Sequence, residues 1–400
     1  MPTYAWKGKN RYGDTVGGER VAASKEELGR LLQKDQITVL SIAAAGGGFK
    51  IPFLKREKVK LKDLAVYSRQ LSVLIDAELP LIQSLGILEE QQKNTYFKKV
   101  IKTVKDDVEA GSTLNQAKRK HPKAFDDLYC NLIASGEQSG SLDIMLRRLS
   151  EFIEKNVRLR AKVKQAMIYP VAIVMFAIVV AIFLLWKVIP VFATIFCDLG
   201  AELPALTATI VALSDFTQKY ILFIFAGMIG AYLAFRYYRS TLPGRWMTDR
   251  LVLKLPLFGS LLYKVAMTRV TRTLATLISG GVPMLEALKI TSTTAGNVIV
   301  EKEITDARKL VSEGKTMSES FKMSGKFPTM MLQMINVGEA TGTLDEMLSK
   351  LADFYDEEVD TSVSALLSVM EPILLIFVRG MVGSLVISMY LPIFSLMRAF

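Results

Sequence analysis

The 400-residue sequence holds one histidine, His121, and two cysteines, Cys130 and Cys197. A single imidazole excludes any metal cluster that needs two. With so few thiols beside it, a His-based catalytic constellation is also improbable. Two cysteines cannot form a disulfide framework, and each reads as a small buried hydrophobe. No zinc spacing, EF-hand, Gly-x-Ser-x-Gly or dinucleotide fingerprint is present. Gly314-Lys315-Thr316 has the end of a phosphate-binding loop, but Lys309 stands where that motif needs its first glycine. Nucleotide binding is rejected. Finally, Val188 to Gln218 has no lysine or arginine at all, in a chain with 50 Lys+Arg against 39 Asp+Glu.

What is present points to a bilayer. Half of the chain is hydrophobic and its mean hydropathy is +0.29, yet 22% is charged. The apolar residues are concentrated in long uncharged runs, so the chain reads as a membrane protein with substantial water-facing parts. Its net charge of +11 suits an anionic membrane surface or an acidic partner. Three segments approach the length of a spanning helix, roughly 17–25 residues. They are Ala166–Trp186, Tyr220–Phe235 (bounded by Lys219 and Arg236) and Pro372–Met397, the last interrupted only by Arg379.

Basic residues flank the first two spans on one side. Lys155, Arg158, Arg160, Lys162 and Lys164 precede the first, and Arg236, Arg239, Arg245, Arg250 and Lys254 follow the second. The positive-inside rule places these sides in the cytoplasm and the loop from 188 to 218 outside. Parity sends the C-terminus to the periplasmic side. The approach to the third span is acidic instead, with Asp353, Asp356, Glu357, Glu358, Asp360 and Glu371. That run reads as a solvated, partner-facing stripe. Arg379, about two turns into the span, reads as a snorkelling side chain or as an interhelical or partner-facing contact.

The chain also repeats itself. Arg69-Gln-Leu-Ser-Val-Leu-Ile-Asp-Ala-Glu-Leu-Pro80 parallels Arg272-Thr-Leu-Ala-Thr-Leu-Ile-Ser-Gly-Gly-Val-Pro283, 203 residues on. Gly136-Glu-Gln-Ser-Gly-Ser-Leu-Asp143 parallels Gly338-Glu-Ala-Thr-Gly-Thr-Leu-Asp345, 202 residues on. The same register pairs Pro170 with Pro372 and Ile189-Pro190 with Leu391-Pro392. Each copy is therefore a cytoplasmic helical domain leading into a span, and the middle span returns the chain to the cytoplasm. Within a copy, Leu71, Leu74 and Ile75 followed by Leu79, Ile82 and Leu85 recur at helical intervals. The Gly136 and Gly338 motifs read as helix-turn-helix corners: glycine stops one helix, and the Ser or Thr hydroxyl caps the next. Glu137 and Glu339 are expected beside those new N-termini.

The N-terminus differs. Tyr4–Gly8, Val16–Val21 and Ile37–Ile42 read as short strands, with turn chemistry at Asn10–Gly13 and a helix from Ser24 to Lys34. Ala43–Gly48 is a flexible linker, and the basic run Lys50–Lys62 reads equally as a surface segment on the inner leaflet or a solvated tether.

The expected fold class is mainly α, a polytopic membrane protein with two repeated cytoplasmic helical-bundle domains, three transmembrane helices and a small α+β N-terminal domain. The expected boundaries are 1–45 for the N-terminal domain, 46–62 for the linker and 63–165 for the first helical domain. Spans follow at 166–192, 219–238 and 371–397, with a periplasmic loop at 193–218, a connector at 239–265 and the second helical domain at 266–370.

The most specific block is Lys162-Val-Lys-Gln-Ala-Met-Ile-Tyr169-Pro170 with Ile189-Pro190 downstream, supported by the paired Gly-Glu-x-Ser/Thr-Gly-x-Leu corners. These residues resemble the inner-membrane platform proteins of type IV pilus and type II secretion machines, the PilC/GspF family, over nearly the whole chain. At the second threshold Glu371 replaces the aromatic before the proline, so Pro372 follows the family pattern less closely. The resemblance implies a non-enzymatic platform in the bacterial inner membrane with F-type helical domains and no cofactor. Its implied partners are a hexameric secretion ATPase, pilin or pseudopilin transmembrane helices, other inner-membrane alignment proteins, membrane lipid and a second copy in a homodimer, with no nucleic acid bound directly. The expected transmission residues are Arg158, Arg160, Lys162 and Lys164, the thresholds Tyr169-Pro170 and Glu371-Pro372, and the turn residues Glu137 and Glu339. A type IV pilus platform is the first reading and a type II secretion platform the alternative. A membrane-anchored receptor or scaffold is a more distant one, and a transporter lacks the polar midplane pathway it would need.

Overall fold

The computed structural model describes residues 3–9, 15–22, 24–44, 59–198 and 204–399. The chain divides into two compact units, Met1–Glu57 and Lys58–Phe400.

In the first unit, strands β1 (Thr3–Lys9), β2 (Thr15–Val21) and β3 (Thr38–Ala44) form an antiparallel sheet in the order β2-β1-β3. Helix α1 (Lys25–Lys34) starts where the Ser24 hydroxyl accepts the Glu27 backbone N–H. Leu28 and Leu32, one turn apart, are buried with Ala22 under Tyr4, Trp6, Ile37 and Val39. The predicted turn at Asn10–Gly13, the glycines of the linker and most of the basic run Lys50–Lys62 lie outside the described residues.

Among its described residues, the regular elements of the second unit are all helices. The first copy comprises α2 (Leu61–Asp76), α3 (Leu81–Gln91), α4 (Thr95–Glu109), α5 (Leu114–Arg119), α6 (Asp127–Ser139) and α7 (Leu142–Phe183). A π turn at Leu184–Val188 leads into α8 (Ile189–Asp198), followed by α9 (Ala205–Ser240) and α10 (Leu242–Lys254). The second copy comprises α11 (Phe258–Ser279), α12 (Met284–Thr294), α13 (Val298–Ser312), α14 (Met317–Ser324), α15 (Thr329–Thr341) and α16 (Leu344–Ala399). The copies match helix for helix. Leu71 and Leu274, Leu85 and Leu288, Ile101 and Ile304, and Leu149 and Leu351 are equivalent pairs, all buried. They belong to one continuous apolar cluster that runs through both copies. The helical domains thus share a core, and the α11–α12 turn seals the joint. Ser135 donates to the Gly280 carbonyl at 2.5 Å, and Arg148 donates to that of Ser279.

Three helices are long and apolar enough to cross a membrane: those through Leu142–Ile195, Thr207–Ser240 and Leu344–Ser388. At 1.5 Å per residue, the 42 residues of α7 and 56 of α16 reach about 63 and 84 Å. A hydrocarbon core is about 30 Å thick, so each helix must also run well outside it. Much of the stretch expected as a loop over 193–218 is helix, because α8 continues to Asp198 and α9 begins at Ala205. The π turn precedes Pro190, whose ring nitrogen cannot donate within a regular helix. Ser214 on α9 donates to the Leu185 carbonyl in that turn, and Thr207 donates to the Ser388 carbonyl at 2.8 Å, tying the three apolar helices together.

Candidate coupling site at the membrane approach

Where α7 and α16 leave the helical domains, they run side by side in the same direction. Lys155 pairs with Asp353 at 3.1 Å and Lys162 with Asp360 at 2.6 Å, seven residues further along both helices. From α11, Lys264 pairs with Glu358 at 2.6 Å and donates to Ser362 at 2.9 Å. Arg272 reaches Asp353 at 3.1 Å and also meets Asp356. The acidic run read as a partner-facing stripe is therefore turned in part toward this chain's own cations. The reason is tertiary: α16 packs against both α7 and α11, which present complementary charge.

Under the charges lies a small apolar junction of Leu159, Leu261, Val265, Val359 and Leu366, flanked by Val163, Phe258, Val363 and Met370. Burying one such side chain contributes about 1.5–3 kcal/mol, whereas an exposed ion pair contributes about 0–1 kcal/mol. Lys162 and Asp360 are each about half exposed (48% and 49%). The apolar junction supplies the adhesion, and the charges set which turns meet. Arg272 is different, since only 9% of its side chain is exposed. Burial works against the Asp353 carboxylate, but hydrogen bonds from Lys155 and Arg272 hold it below the usual carboxylate range. Asp356 is pushed up by burial, against the pull of Arg272. A cavity of about 370 Å³ opens beside this network, lined by Arg148, Lys155 and Arg272 together with Glu151, Asp345 and Glu346.

The other expected transmission residues are distributed unevenly. Arg158 lies 4.0 Å from Glu154, one turn away on its own helix. Arg160 is exposed and lines a second cavity of about 270 Å³ with Arg269 and Asp126. Burial first, then the Arg160 charge, lowers the pKa of Arg269. Lys164 and Tyr169 are exposed, whereas Pro170 is buried. Pro170 belongs to a seam of Leu159, Ala166, Pro170 and Ala177 spaced seven, four and seven residues apart, the period of helices packed at a shallow angle. Its repeat partner Pro372 is exposed, as are Glu371 and Arg379. No ion pair of Glu371 or Arg379 is found among the described residues.

Glu137 and Glu339 are not where the turn reading put them. Each carboxylate reaches a different helix. Glu137 accepts the N–H groups of Leu114 (2.5 Å) and Asn115 (3.1 Å) at the start of α5. Glu339 accepts those of Met317 (2.6 Å) and Ser318 (2.9 Å) at the start of α14. The hydroxyl expected to cap the following helix does not do so: Ser141 makes no capping bond and instead meets Ser139 at 2.6 Å, and Thr343 meets Thr341 at 2.7 Å. The glycines of these corners do behave as read. Gly140 and Gly342 end their helices at φ 70° and 73°, a region that costs glycine nothing. Gly136 and Gly338 let the next helix approach, since an added Cβ would lie 3.0 and 2.8 Å from the Cα atoms of Leu142 and Leu344.

Two features escaped the sequence reading. Lys264, on α11, is marked only by the partners that packing brings to it, Glu358 and Ser362 of α16. Lys118 is wholly buried within a ring of Tyr67, Phe125 and Tyr129, its Nζ 4.7–5.2 Å from the three ring centres and 3.3 Å from the Tyr129 hydroxyl. Its repeat counterpart is Phe321, which could have flagged the substitution. As expected, Cys130 is buried, and burial pushes its thiol up to about 11. The side chain of Cys197 lies outside the described residues. Of the three methionines near 330, Met331 is buried, Met334 packs against the core, and Met330 is exposed.

Comparison with known proteins gives this geometry a family. Residues 67–190 and 270–392, the two repeat copies, each match the family described as "Type II secretion system (T2SS), protein F". Residues 1–43 match the N-terminal domain of type II secretion system protein F. The type IV pilus assembly protein PilC of Myxococcus xanthus is 43% identical over 399 residues, covering 99% of this chain and 95% of that protein. PilC of Thermus thermophilus is 42% identical over 401 residues, with 99% and 98% covered. The type II secretion system protein F of Pseudomonas aeruginosa is 31% identical over 383 residues, with 94% of each chain covered. Two copies of one helical domain, each running into an apolar helix behind a small N-terminal unit, place the chain in the type II secretion system protein F family.

Proposed function

We propose that this protein is the inner-membrane platform of a type IV pilus machine, with its N-terminus cytoplasmic and its C-terminus periplasmic. In this reading a cytoplasmic hexameric ATPase engages the two helical domains. Its motion passes along α7 and α16 to pilin helices in the bilayer, and pilin subunits join or leave the fibre base. The platform acts as a homodimer and hydrolyses nothing itself. One observation carries the reading. Both α7 and α16 continue unbroken from the shared helical core into an apolar helix, and they are tied to each other at the approach by Lys155–Asp353 and Lys162–Asp360. A continuous helix transmits displacement along its axis, and a second one bound in register keeps the motion from dissipating as bending.

The pilus reading stands ahead of the secretion alternative on similarity: 43% and 42% identity to two PilC proteins against 31% to a type II secretion protein F. Charge reversal tests it. Lys162→Asp is expected to abolish surface fibres while the protein remains inserted, and adding Asp360→Lys is expected to restore them. Normal fibre assembly in the single variant would count against transmission through this joint. Copurification of the full chain with a pilin and a secretion ATPase separates a platform from a membrane-anchored receptor. Retention of fibres with loss of an exported protein would move the assignment to secretion.

A further inference from the structure

We infer that α10 is an in-plane helix of the cytoplasmic membrane interface, with its exposed face seated in anionic lipid headgroups. The inference rests on the placement of α9 in the bilayer proposed above. Helix α9 ends in Arg236, Tyr237, Tyr238 and Arg239, the interfacial mixture of aromatic and basic side chains. The helix breaks at Thr241 alone, whose extended backbone (ψ 149°) leaves α9 and whose hydroxyl accepts the Gly244 N–H to start α10. The first turn of α10 then lies so close to the last turn of α9 that a Cβ at Gly244 would overlap the Tyr238 carbonyl. So α10 begins at the level where α9 leaves the lipid.

Its two faces differ sharply. One is committed to protein. Asp249 is buried, accepts the Val298 N–H at 3.0 Å at the start of α13, and pairs with Arg239 at 3.6 Å. Arg245 reaches Glu301 on α13 at 3.5 Å. The rest of the helix surface is uncovered: Met247 and Leu251 lie opposite, Trp246 at the flank and Leu242 in the first turn, exposed by 60, 61, 43 and 81%. Among them stand Arg250 and Lys254, both exposed. The Arg250 guanidinium lies 5.0 Å from the centre of the Trp246 ring.

Asp249 is the only acidic residue of α10, and it lies on the protein side. The free surface of α10 itself is therefore apolar and cationic, and Arg250 and Lys254 at its edge also line a cavity of about 310 Å³ with Glu303 of α13. An amphipathic helix with tryptophan and leucine amid Lys and Arg is the pattern that settles into a headgroup boundary, and cations there are drawn to acidic lipid. A soluble partner would need an apolar surface ringed by acids at membrane level. The lipid already present there offers both. The occupant is the leaflet itself. Such a seat would hold the start of α11, and with it the second helical domain, at a fixed height; α10 and α11 meet at a bend of 113°.

Tryptophan depth tests this in the full chain reconstituted into phosphatidylcholine–phosphatidylglycerol vesicles. Trp6→Phe with Trp186→Phe leaves Trp246 as the reporter, and Trp6→Phe with Trp246→Phe leaves Trp186, in the π turn of the first apolar helix, as the control. Trp246 is expected to lose most of its emission to lipid brominated near the glycerol, less to lipid brominated at the chain ends, and little to aqueous iodide. Removing phosphatidylglycerol, or combining Arg250→Glu with Lys254→Glu, should lower that lipid quenching several-fold. If Trp186 is quenched by lipid and Trp246 is not, α10 does not lie in the interface, whether iodide reaches it or another protein surface shields it. If neither is quenched, the membrane placement of the apolar helices fails and the inference falls with it. A nitroxide at Met247→Cys, in a chain carrying Cys130→Ala and Cys197→Ala, measures the same depth without altering a tryptophan, and exposure to water-soluble relaxants alone would overturn the inference.

Discussion

The Glu137 carboxylate accepts the Leu114 backbone N–H at 2.5 Å, across 23 residues, and so caps a helix other than its own. Helix α5 has six residues, so its unpaired N-terminal N–H groups are a large share of its backbone. A carboxylate taking two of them satisfies the donors and meets the positive end of the helix dipole. Glu339 repeats the arrangement in the second copy, so the two Gly-Glu corners tie α6 to α5 and α15 to α14. We assign both residues a positioning role within their bundles.

Glu137→Ala should therefore destabilise the first helical domain by about 2–4 kcal/mol, since two charge-assisted bonds to a helix terminus are lost. Glu137→Gln keeps one acceptor oxygen and should cost less. Denaturant unfolding of the purified chain in detergent reads both. Equal stability of Glu137→Ala and the parent chain would remove the capping role and return Glu137 to the set of partner-contact candidates.

Arg272→Ala should be more damaging than Lys162→Ala. The first removes a guanidinium only 9% exposed from Asp353, which is 59% exposed and keeps Lys155, and from Asp356, 32% exposed, a loss of about 1–3 kcal/mol. The second breaks a half-exposed pair worth about 0–1 kcal/mol, and that pair should lose the larger share of its contribution with added salt. A comparison of unfolding midpoints at low and high salt checks the difference.

Lys118 predicts a pH dependence with a definite sign. Burial pushes its ammonium down from 10.5 to about 7, against the smaller opposing pull of Cys130 and Glu137. In the unfolded chain it titrates near its ordinary value. Between about 7 and about 10.5 the unfolded state thus holds more protons, and this group makes stability rise with pH. Below about 7 it is protonated in both states and its contribution is flat. Lys118→Met should remove that slope and stabilise the domain at pH 7 by on the order of a few kcal/mol. The informative quantity is the stability of the variant minus that of the parent at pH 7 and pH 9.5. A difference that does not shrink toward the higher pH contradicts the prediction.

The turn between α2 and α3 places Glu78 at φ 60°, where the second copy has Gly281 at φ 73°. A left-handed conformation costs a side-chain-bearing residue about 1–2 kcal/mol, and glycine gives back about 0.5–1 kcal/mol in the unfolded chain. Glu78→Gly is therefore expected to stabilise by about 0.5–1 kcal/mol, visible as a raised unfolding midpoint.

Much of this architecture could be read without coordinates because it is written in local or repeated pattern. Uncharged runs of near-bilayer length give the apolar helices. The pairing of Arg69 with Arg272 and of Gly136 with Gly338 gives the duplication. Glycine before a new apolar period gives the corners, and a left-handed stop is a property of the residue and its immediate neighbours. The contacts of Glu137 could not be found that way. Its own helix carries no sign that the donors 22 and 23 residues earlier come within reach, and the nearer N-terminus at Leu142 offered an equally reasonable partner.

The approach to the membrane shows the same division most clearly. Amino-acid order alone established a basic run before one apolar helix and an acidic run before the other, together with their common spacing of seven residues between Lys155 and Lys162 and between Asp353 and Asp360. That these runs face each other was settled by packing, because the apolar junction of Leu159, Val265 and Val359 brings together turns 198 residues apart. Helical period follows from short-range sterics and backbone hydrogen bonding, which any short window of residues contains. Which helix lies beside which depends on filling space around a shared core, and that is a property of the whole folded chain.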